Sequence, residues 1–220
     1  MKTDPENFIR ANTALSSPPH VPEIRLHLAD EAHELWLKTE EELDALGLPP
    51  PFWAFAWAGG QGLARHILDT PELVEGKSVL DFASGSGLVA IAARRAGAAK
   101  VTAVDIDPWS ATAARLNAAA NDVVFEISQS DLVGTDHGWD VVLAGDVFYD
   151  QAMTAMILPW FLELSRRGAL VLIGDPGRSY CPRDGMQLLA TYEVPVTRAL
   201  EDSEVKRTSV YRFTGLPDDT

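Results

Sequence analysis

Three aspartates, Asp81, Asp105 and Asp146, each follow a short apolar run in this chain, a fourth, Asp131, lies three residues after the strand pattern VVFEIS, and the first lies in the stretch VLDFASGSG, Val79 to Gly87. Such a stretch reads as an apolar strand that ends in an acid and passes through small residues into the helical pattern LVAIAARRAG. Gly85, Ser86, Gly87 and the helix start bring backbone N–H groups close to a ligand, which suits an anion such as phosphate or carboxylate. GSGLVA satisfies the G-x-G-x-x-A pattern of dinucleotide loops, and Asp105 lies 20 residues after Gly85, where an acid that grips ribose hydroxyls is expected. On the loop alone, an NAD-dependent oxidoreductase stays open.

Asp81 shifts that balance. A carboxylate four residues ahead of Gly85 faces the same pocket and sits badly beside a pyrophosphate, whose charge it shares. It suits a ligand that carries an amino group. S-adenosylmethionine has an ammonium, a carboxylate, a ribose and a sulfonium, and so would use an acid, backbone amides and a second acid in one crevice.

The elements that must position these acids alternate. Strand patterns in KSVLDF, KVTAVD, VVFEIS, WDVVLAG and GALVLIG are separated by helical patterns in LVAIAARRAG, PWSATAARLNAAAN and QAMTAMILPWFLELSRR. Strands that alternate with helices predict an α/β fold with a parallel sheet covered on both faces. Two last strands, around LATYEVPV and VKRTSVYRF, have no room for a long helix between them and predict an antiparallel edge. In an open parallel sheet, ligands sit beyond the carboxyl ends of the strands, where Asp81, Asp105 and Asp146 fall. Asp107 and Pro108 form a cap and first-turn pair, and Gly97 and Gly168 stand where helices should stop. Ahead of the alternation, Leu28 to Leu46 has apolar residues at helical spacing with acids between them, and it ends at Gly47 and Pro49. That divides the chain into an N-terminal helical extension, 1–48, and a main domain, 49–220.

Composition narrows the function classes. At 220 residues the chain fits one domain, and its longest apolar run falls short of the roughly 20 residues of a membrane helix. A net charge of −14 opposes a nucleic-acid partner, whose affinity depends on Lys and Arg contacts to phosphates, and favours a cationic small molecule or a basic protein patch. Plain solubility accounts for the same charge. The N-terminus carries no export or import pattern, so a cytoplasmic monomer that binds no membrane is expected. One cysteine, Cys181, excludes an internal disulfide, and the five histidines have no metal spacing, so no metal is expected.

The motifs together resemble a known family. VLDFASGSG resembles the first motif of class I S-adenosylmethionine-dependent methyltransferases, with Ala83 where a glycine is usual, and VTAVDID resembles their second-strand acid. PFWAFAWAGGQGLARHIL, GDVFYD and IGDPGR narrow the likeness, from about Pro50 to Phe213, to the lysine methyltransferases that act on the electron-transfer flavoprotein β subunit. The resemblance implies a Rossmann-like, doubly wound sheet of seven strands. It implies S-adenosylmethionine as cofactor, held by Asp81, Ser84, Gly85 and Gly87 in the loop and by Asp105 and Ile106 at the ribose. Asp131 and Leu132 would face the adenine, and Trp57 and Gly59 would cover the cofactor. The flavoprotein subunit is the implied partner, its lysines methylated successively. Another protein lysine or a small amine is the alternative acceptor.

For the reaction itself, Asp146 is the first candidate to hold the incoming ammonium, orient it and take its proton, with Tyr149 and Phe148 lining the lysine channel. Each has an ordinary reading too. Asp131 fits a turn former, Tyr149 and Trp53 fit packing residues, and DPGR, Asp175 to Arg178, begins a loop expected to shape the substrate entrance, with a tight turn and a surface arginine as its ordinary reading. Ala83 adds one methyl group, from which tighter packing of the turn is expected.

Overall fold

The computed structural model describes residues 4–29, 50–196 and 203–215. In chain order they form α1 (Pro5–Asn12), β1 (Ala14–Ser16), β2 (Leu26–Leu28), a 3-10 turn at Phe52–Ala54, α2 (Ala58–Asp69), a second such turn at Pro71–Leu73, β3 (Ser78–Phe82) and α3 (Leu88–Arg95). Then follow β4 (Lys100–Val104), α4 (Pro108–Ala120), β5 (Glu126–Ser128), β6 (Val141–Gly145), α5 (Gln151–Arg167), β7 (Leu170–Asp175), β8 (Met186–Pro195) and β9 (Val205–Phe213).

Seven strands make one sheet in the order β5-β4-β3-β6-β7-β9-β8. The first five pair in parallel, whereas β9 pairs antiparallel with β7 and β8 antiparallel with β9. The α/β class and the antiparallel C-terminal edge are thus as expected. Because successive side chains of a strand point to opposite faces, each strand feeds two cores. Val79, Val101, Val141 and Leu143 pack on one face with Leu63 and Ile67 of α2 and Ile91 of α3. Leu80, Phe82, Val142 and Ile173 pack on the other with Ile157, Trp160 and Phe161 of α5. Each fully buried side chain of this size contributes about 1.5–3 kcal/mol.

Helix ends follow the sequence. Asp107 accepts the Trp109 N–H at 2.9 Å with Pro108 in the first turn, Asp150 accepts the Met153 N–H at 2.8 Å, and Gly168 closes α5 at φ 104°. No described helix is long and apolar enough to cross a membrane. Among the described residues, no group of three or more His, Cys, Asp or Glu is placed to hold a metal.

The N-terminal segment differs from its expected description. Leu28, the first residue of the expected acidic helix, lies in β2, and the rest of that helix, from residue 30, lies outside the described residues. Residues 4–29 are built onto the main domain: Asn117 accepts the His27 N–H at 2.7 Å and Asn121 the Arg25 N–H at 3.0 Å, while Ile9 is buried with Trp53 and Trp109.

Candidate active site

Strand order reverses between β3 and β6, and a cavity of about 480 Å³ opens beyond their carboxyl ends. Its volume suits one small-molecule ligand, which is bound preferentially at such a switch point. Its walls come from Trp57, the loop at Ala83 and Gly85, Asp105 to Asp107 after β4, Asp131 and Leu132 after β5, Asp146 and Tyr149 after β6, and Arg178 after β7.

The loop is held from three sides. Ser84 donates its N–H to Val104 at 3.0 Å, Gly87 donates to Ser84 at 2.7 Å, and the Asn117 amide donates to the Ser86 carbonyl at 2.8 Å. Asp105 then ties the loop to the end of β4, because its two oxygens accept the N–H groups of Gly85 at 2.9 Å and Asp107 at 3.0 Å. Ala83, Gly85 and Gly87 all have positive φ, at 54°, 50° and 78°. For Ala83 the methyl group therefore acts through the backbone: a non-glycine residue in this left-handed region costs about 1–2 kcal/mol.

Asp81 does not form part of the cavity wall. It is 1% exposed, and its carboxylate accepts the Ala90 N–H at 2.8 Å in the first turn of α3. Asp146 does the same for α2, accepting the Gly60 N–H at 2.8 Å. The two helices start after Gly87 and Trp57, which have no side-chain acceptor to cap them, so an acid at a strand end supplies the cap from across the fold. Burial pushes the Asp81 carboxyl up to about 8, with the Ala90 N–H acting against that and Asp105 adding to it.

Close backbone contact brings the start of α2 to Asp146. A Cβ on Gly59 would lie 2.3 Å from the Gly174 carbonyl and 2.6 Å from the Asp146 carboxylate, while one on Gly145 would meet the Gly60 backbone at 2.9 Å. Gly59 is thus a packing glycine at the ends of β6 and β7 and does not line the cavity.

The expected reaction residues separate. Asp146 lines the cavity with 9% exposure, in a left-handed conformation at φ 59°. Its Oδ1 is paired with Arg178, whose Nη2 and Nε lie at 2.6 and 3.1 Å, instead of standing open for an ammonium. The Arg178 guanidinium also lies 5.5 Å from the centre of the Trp57 ring. Tyr149 lines the cavity beside Phe52, at 5.8 Å between ring centres, and burial, then Asp105 and Asp150, raises its hydroxyl above the usual range. Phe148, expected beside it, is fully buried in the apolar cluster of Ile157 and Phe161 and does not line the cavity. Trp53 stacks on Trp109 in the core.

Ile106, Asp131 and Leu132 line the cavity, and Asp131 also forms a turn by accepting the Val133 N–H at 3.0 Å. In DPGR the tight turn is present too, since Asp175 accepts the Gly177 and Arg178 N–H groups at 2.7 and 2.8 Å. What sequence reasoning missed is that this turn sends Arg178 inward. It also missed Asp107, legible only as a helix cap, and Phe52, Met153 and Met156, which lack any motif. Four carboxylates, Asp105, Asp107, Asp131 and Asp146, share the wall with Arg178. The largest influence on the Asp107 carboxyl is burial, which raises it.

Known methyltransferases are similar to this chain in sequence and in fold. The profile of the ribosomal protein L11 methyltransferase family (PrmA) matches residues 65–148. Of solved structures, the ribosomal protein L11 methylase of Lactobacillus delbrueckii subsp. bulgaricus matches at TM-score 0.50 with 22% identity, over 72% of this chain and 80% of that one. Magnesium protoporphyrin IX methyltransferase of Synechocystis, solved with bound S-adenosylmethionine, matches at TM-score 0.50 with 19% identity, over 70% and 79% of the two chains. These likenesses show the fold. Identity is higher to two curated proteins named electron transfer flavoprotein beta subunit lysine methyltransferase. The Danio rerio protein is 36% identical over 98% of this chain and 85% of its own, and the Homo sapiens protein is 39% identical over 80% and 68%. With that identity spread over most of both chains, this protein belongs to the electron transfer flavoprotein beta subunit lysine methyltransferase family.

Proposed function

We propose that this chain transfers methyl groups from S-adenosylmethionine to lysines of the electron transfer flavoprotein beta subunit. The observation that carries the reading is one cavity, in a chain of this family, whose wall combines two features: Asp105 bridges the glycine loop and the turn after β4, and the Asp146–Arg178 pair lies beside the Trp57 ring.

The residues fit the cofactor. Asp105, Ile106, Asp131 and Leu132 line the cavity, where Asp105 would hold the ribose hydroxyls and Ile106 and Leu132 would cover the base, with Asp131 at its edge. The apolar and acidic walls suit a cationic ligand better than a pyrophosphate. When bound, S-adenosylmethionine supplies a methyl carbon on a positively charged sulfur, open to displacement by an amine. The chain's own contribution is alignment and exclusion of water, and well-oriented intramolecular reactions gain about 7–11 kcal/mol in this way. Trp57, Phe52 and Tyr149 give the cavity an aromatic wall that excludes water around the incoming side chain.

Incubation with S-adenosylmethionine and the purified flavoprotein, followed by intact mass, tests the substrate: methyl-sized increments are expected on the beta subunit. Their absence, with another basic protein or a small amine methylated instead, removes that acceptor. Calorimetry tests the cofactor, and tight binding of NAD with none of S-adenosylmethionine overturns the reading. Asp105→Ala loses an acceptor that holds two backbone N–H groups, and a hydrogen bond to a charged group is worth about 1.5–3 kcal/mol. A cofactor affinity roughly 10 to 100 times weaker is the expected calorimetric result.

A further inference from the structure

Only the neutral amine of a lysine has a lone pair to give, yet near neutral pH the protonated form outnumbers it by about a thousand to one. A bare carboxylate at the acceptor site makes this worse, since an opposite charge favours the ammonium. Asp146 is not bare. Its Oδ1 accepts from Arg178 at 2.6 and 3.1 Å, and its Oδ2 accepts the Gly60 N–H at 2.8 Å. The arginine is fixed at its root by its own N–H on Asp175, and its guanidinium lies over Trp57. A guanidinium keeps its charge at every pH a protein meets.

We propose that Arg178 neutralises Asp146 so that the acceptor lysine is seated as the free amine. The inference rests on the lysine methyltransferase reading above. As the lysine enters, a nitrogen–hydrogen bond breaks, the electron pair stays on nitrogen and the proton leaves to solvent water. With Asp146 paired to Arg178, no bare carboxylate there holds the proton on the lysine, and burial among the aromatic rings disfavours the ammonium; Asp146 in turn holds Arg178 in place. Other titratable groups face the pair: Asp175 at the end of β7 acts on Arg178, Tyr149 shares the wall, and Asp105, Asp107 and Asp131 line the rest of the cavity. From α2 the Gly60 N–H reaches Asp146, and α5 contributes Met153, Met156 and Ile157, which do not titrate. All of these stay when Arg178 alone is changed.

Calorimetry counts the proton directly. The beta subunit is titrated into enzyme loaded with S-adenosylhomocysteine, which has no methyl group to transfer, in two buffers of different ionisation heat at about pH 8.5, below the ordinary lysine value. Wild-type enzyme is expected to release close to one proton for each lysine seated. Arg178→Met releases far less, and Arg178→Lys, which keeps a cation, restores the release. No release by wild type overturns the proposal, and so does equal release by Arg178→Met. The wild-type count decides even where the methionine variant does not fold. In turnover, the acid limb of kcat for Arg178→Met moves to higher pH by about one unit or more, with activity regained in alkali. A loss that is uniform across pH overturns the proposal as well. Absence of any methylation by wild type strikes the substrate reading instead.

Discussion

Ala83 holds a left-handed backbone that favours glycine, at φ 54° in the loop that faces the cavity. The strain of about 1–2 kcal/mol exceeds the extra conformational entropy a glycine loses on folding, about 0.5–1 kcal/mol. Ala83→Gly is therefore expected to stabilise the fold by roughly 0.5–1 kcal/mol, read from denaturant midpoints; an equal loss would show that the methyl group's packing matters more. Asp81 gives a pH signature. Burial pushes its carboxyl from an ordinary 3.8 up to about 8 in the folded chain, so the stability it lends is complete below about pH 4 and falls away as pH rises toward 8. Asp81→Asn stays neutral and still offers an oxygen to the Ala90 N–H, so its stability relative to wild type should grow between about pH 5 and about pH 8. Melts at both pH values that show a constant difference would exclude this. The sequence made Asp81 legible as an important acid but misplaced its partner. The clue was available: neither Gly87 nor Trp57 can cap the helix it precedes, so each helix needs an acceptor from elsewhere. Which acids turn to that task and which face the ligand depends on loop geometry that one-dimensional spacing does not carry.

At the scale of elements, the parallel strands were legible because strands buried on both faces are continuous apolar runs set between helices. The antiparallel edge followed from the short link between β8 and β9. Less legible was the hairpin of β1 and β2, which spans three residues in each strand and takes its partners from Asn117 and Asn121 far along the chain. The seat of α2 was also hidden, because it depends on glycines that look like cofactor contacts. Gly59→Ala would put a Cβ 2.3 Å from the Gly174 carbonyl and push α2 away from Asp146, whereas a Cβ on Gly60 meets nothing within 4 Å. Overpacking of this kind costs about 1–3 kcal/mol. Gly59→Ala should lower the melting temperature accordingly and weaken methylation with it, while Gly60→Ala, in a helix that prefers alanine over glycine by about 1 kcal/mol, is tolerated. Equal melting temperatures for the two variants would refute a packing role for Gly59.

For the molecule as a whole, a net charge of −14 surrounds a cavity lined by Asp105, Asp107 and Asp131 besides the Asp146–Arg178 pair, so acids outnumber bases both in its wall and over the chain. A negative surface steers a basic segment of a partner toward the mouth and raises its rate of encounter. Acids in this excess oppose the Lys and Arg contacts to phosphate on which nucleic-acid affinity depends. Steering of this kind is screened by salt, since the Debye length shrinks from about 30 Å at 0.01 M to about 8 Å at 0.15 M. Cofactor binding depends on short contacts inside the cavity and should be far less sensitive. Across that range of salt, kcat/KM for the flavoprotein beta subunit is expected to fall about tenfold or more, the size of change typical of steered association, while the affinity for S-adenosylmethionine stays within about twofold. A flat kcat/KM would mean that the charge serves solubility and that the acceptor is recognised by contacts at the aromatic rim of Phe52, Trp57 and Tyr149.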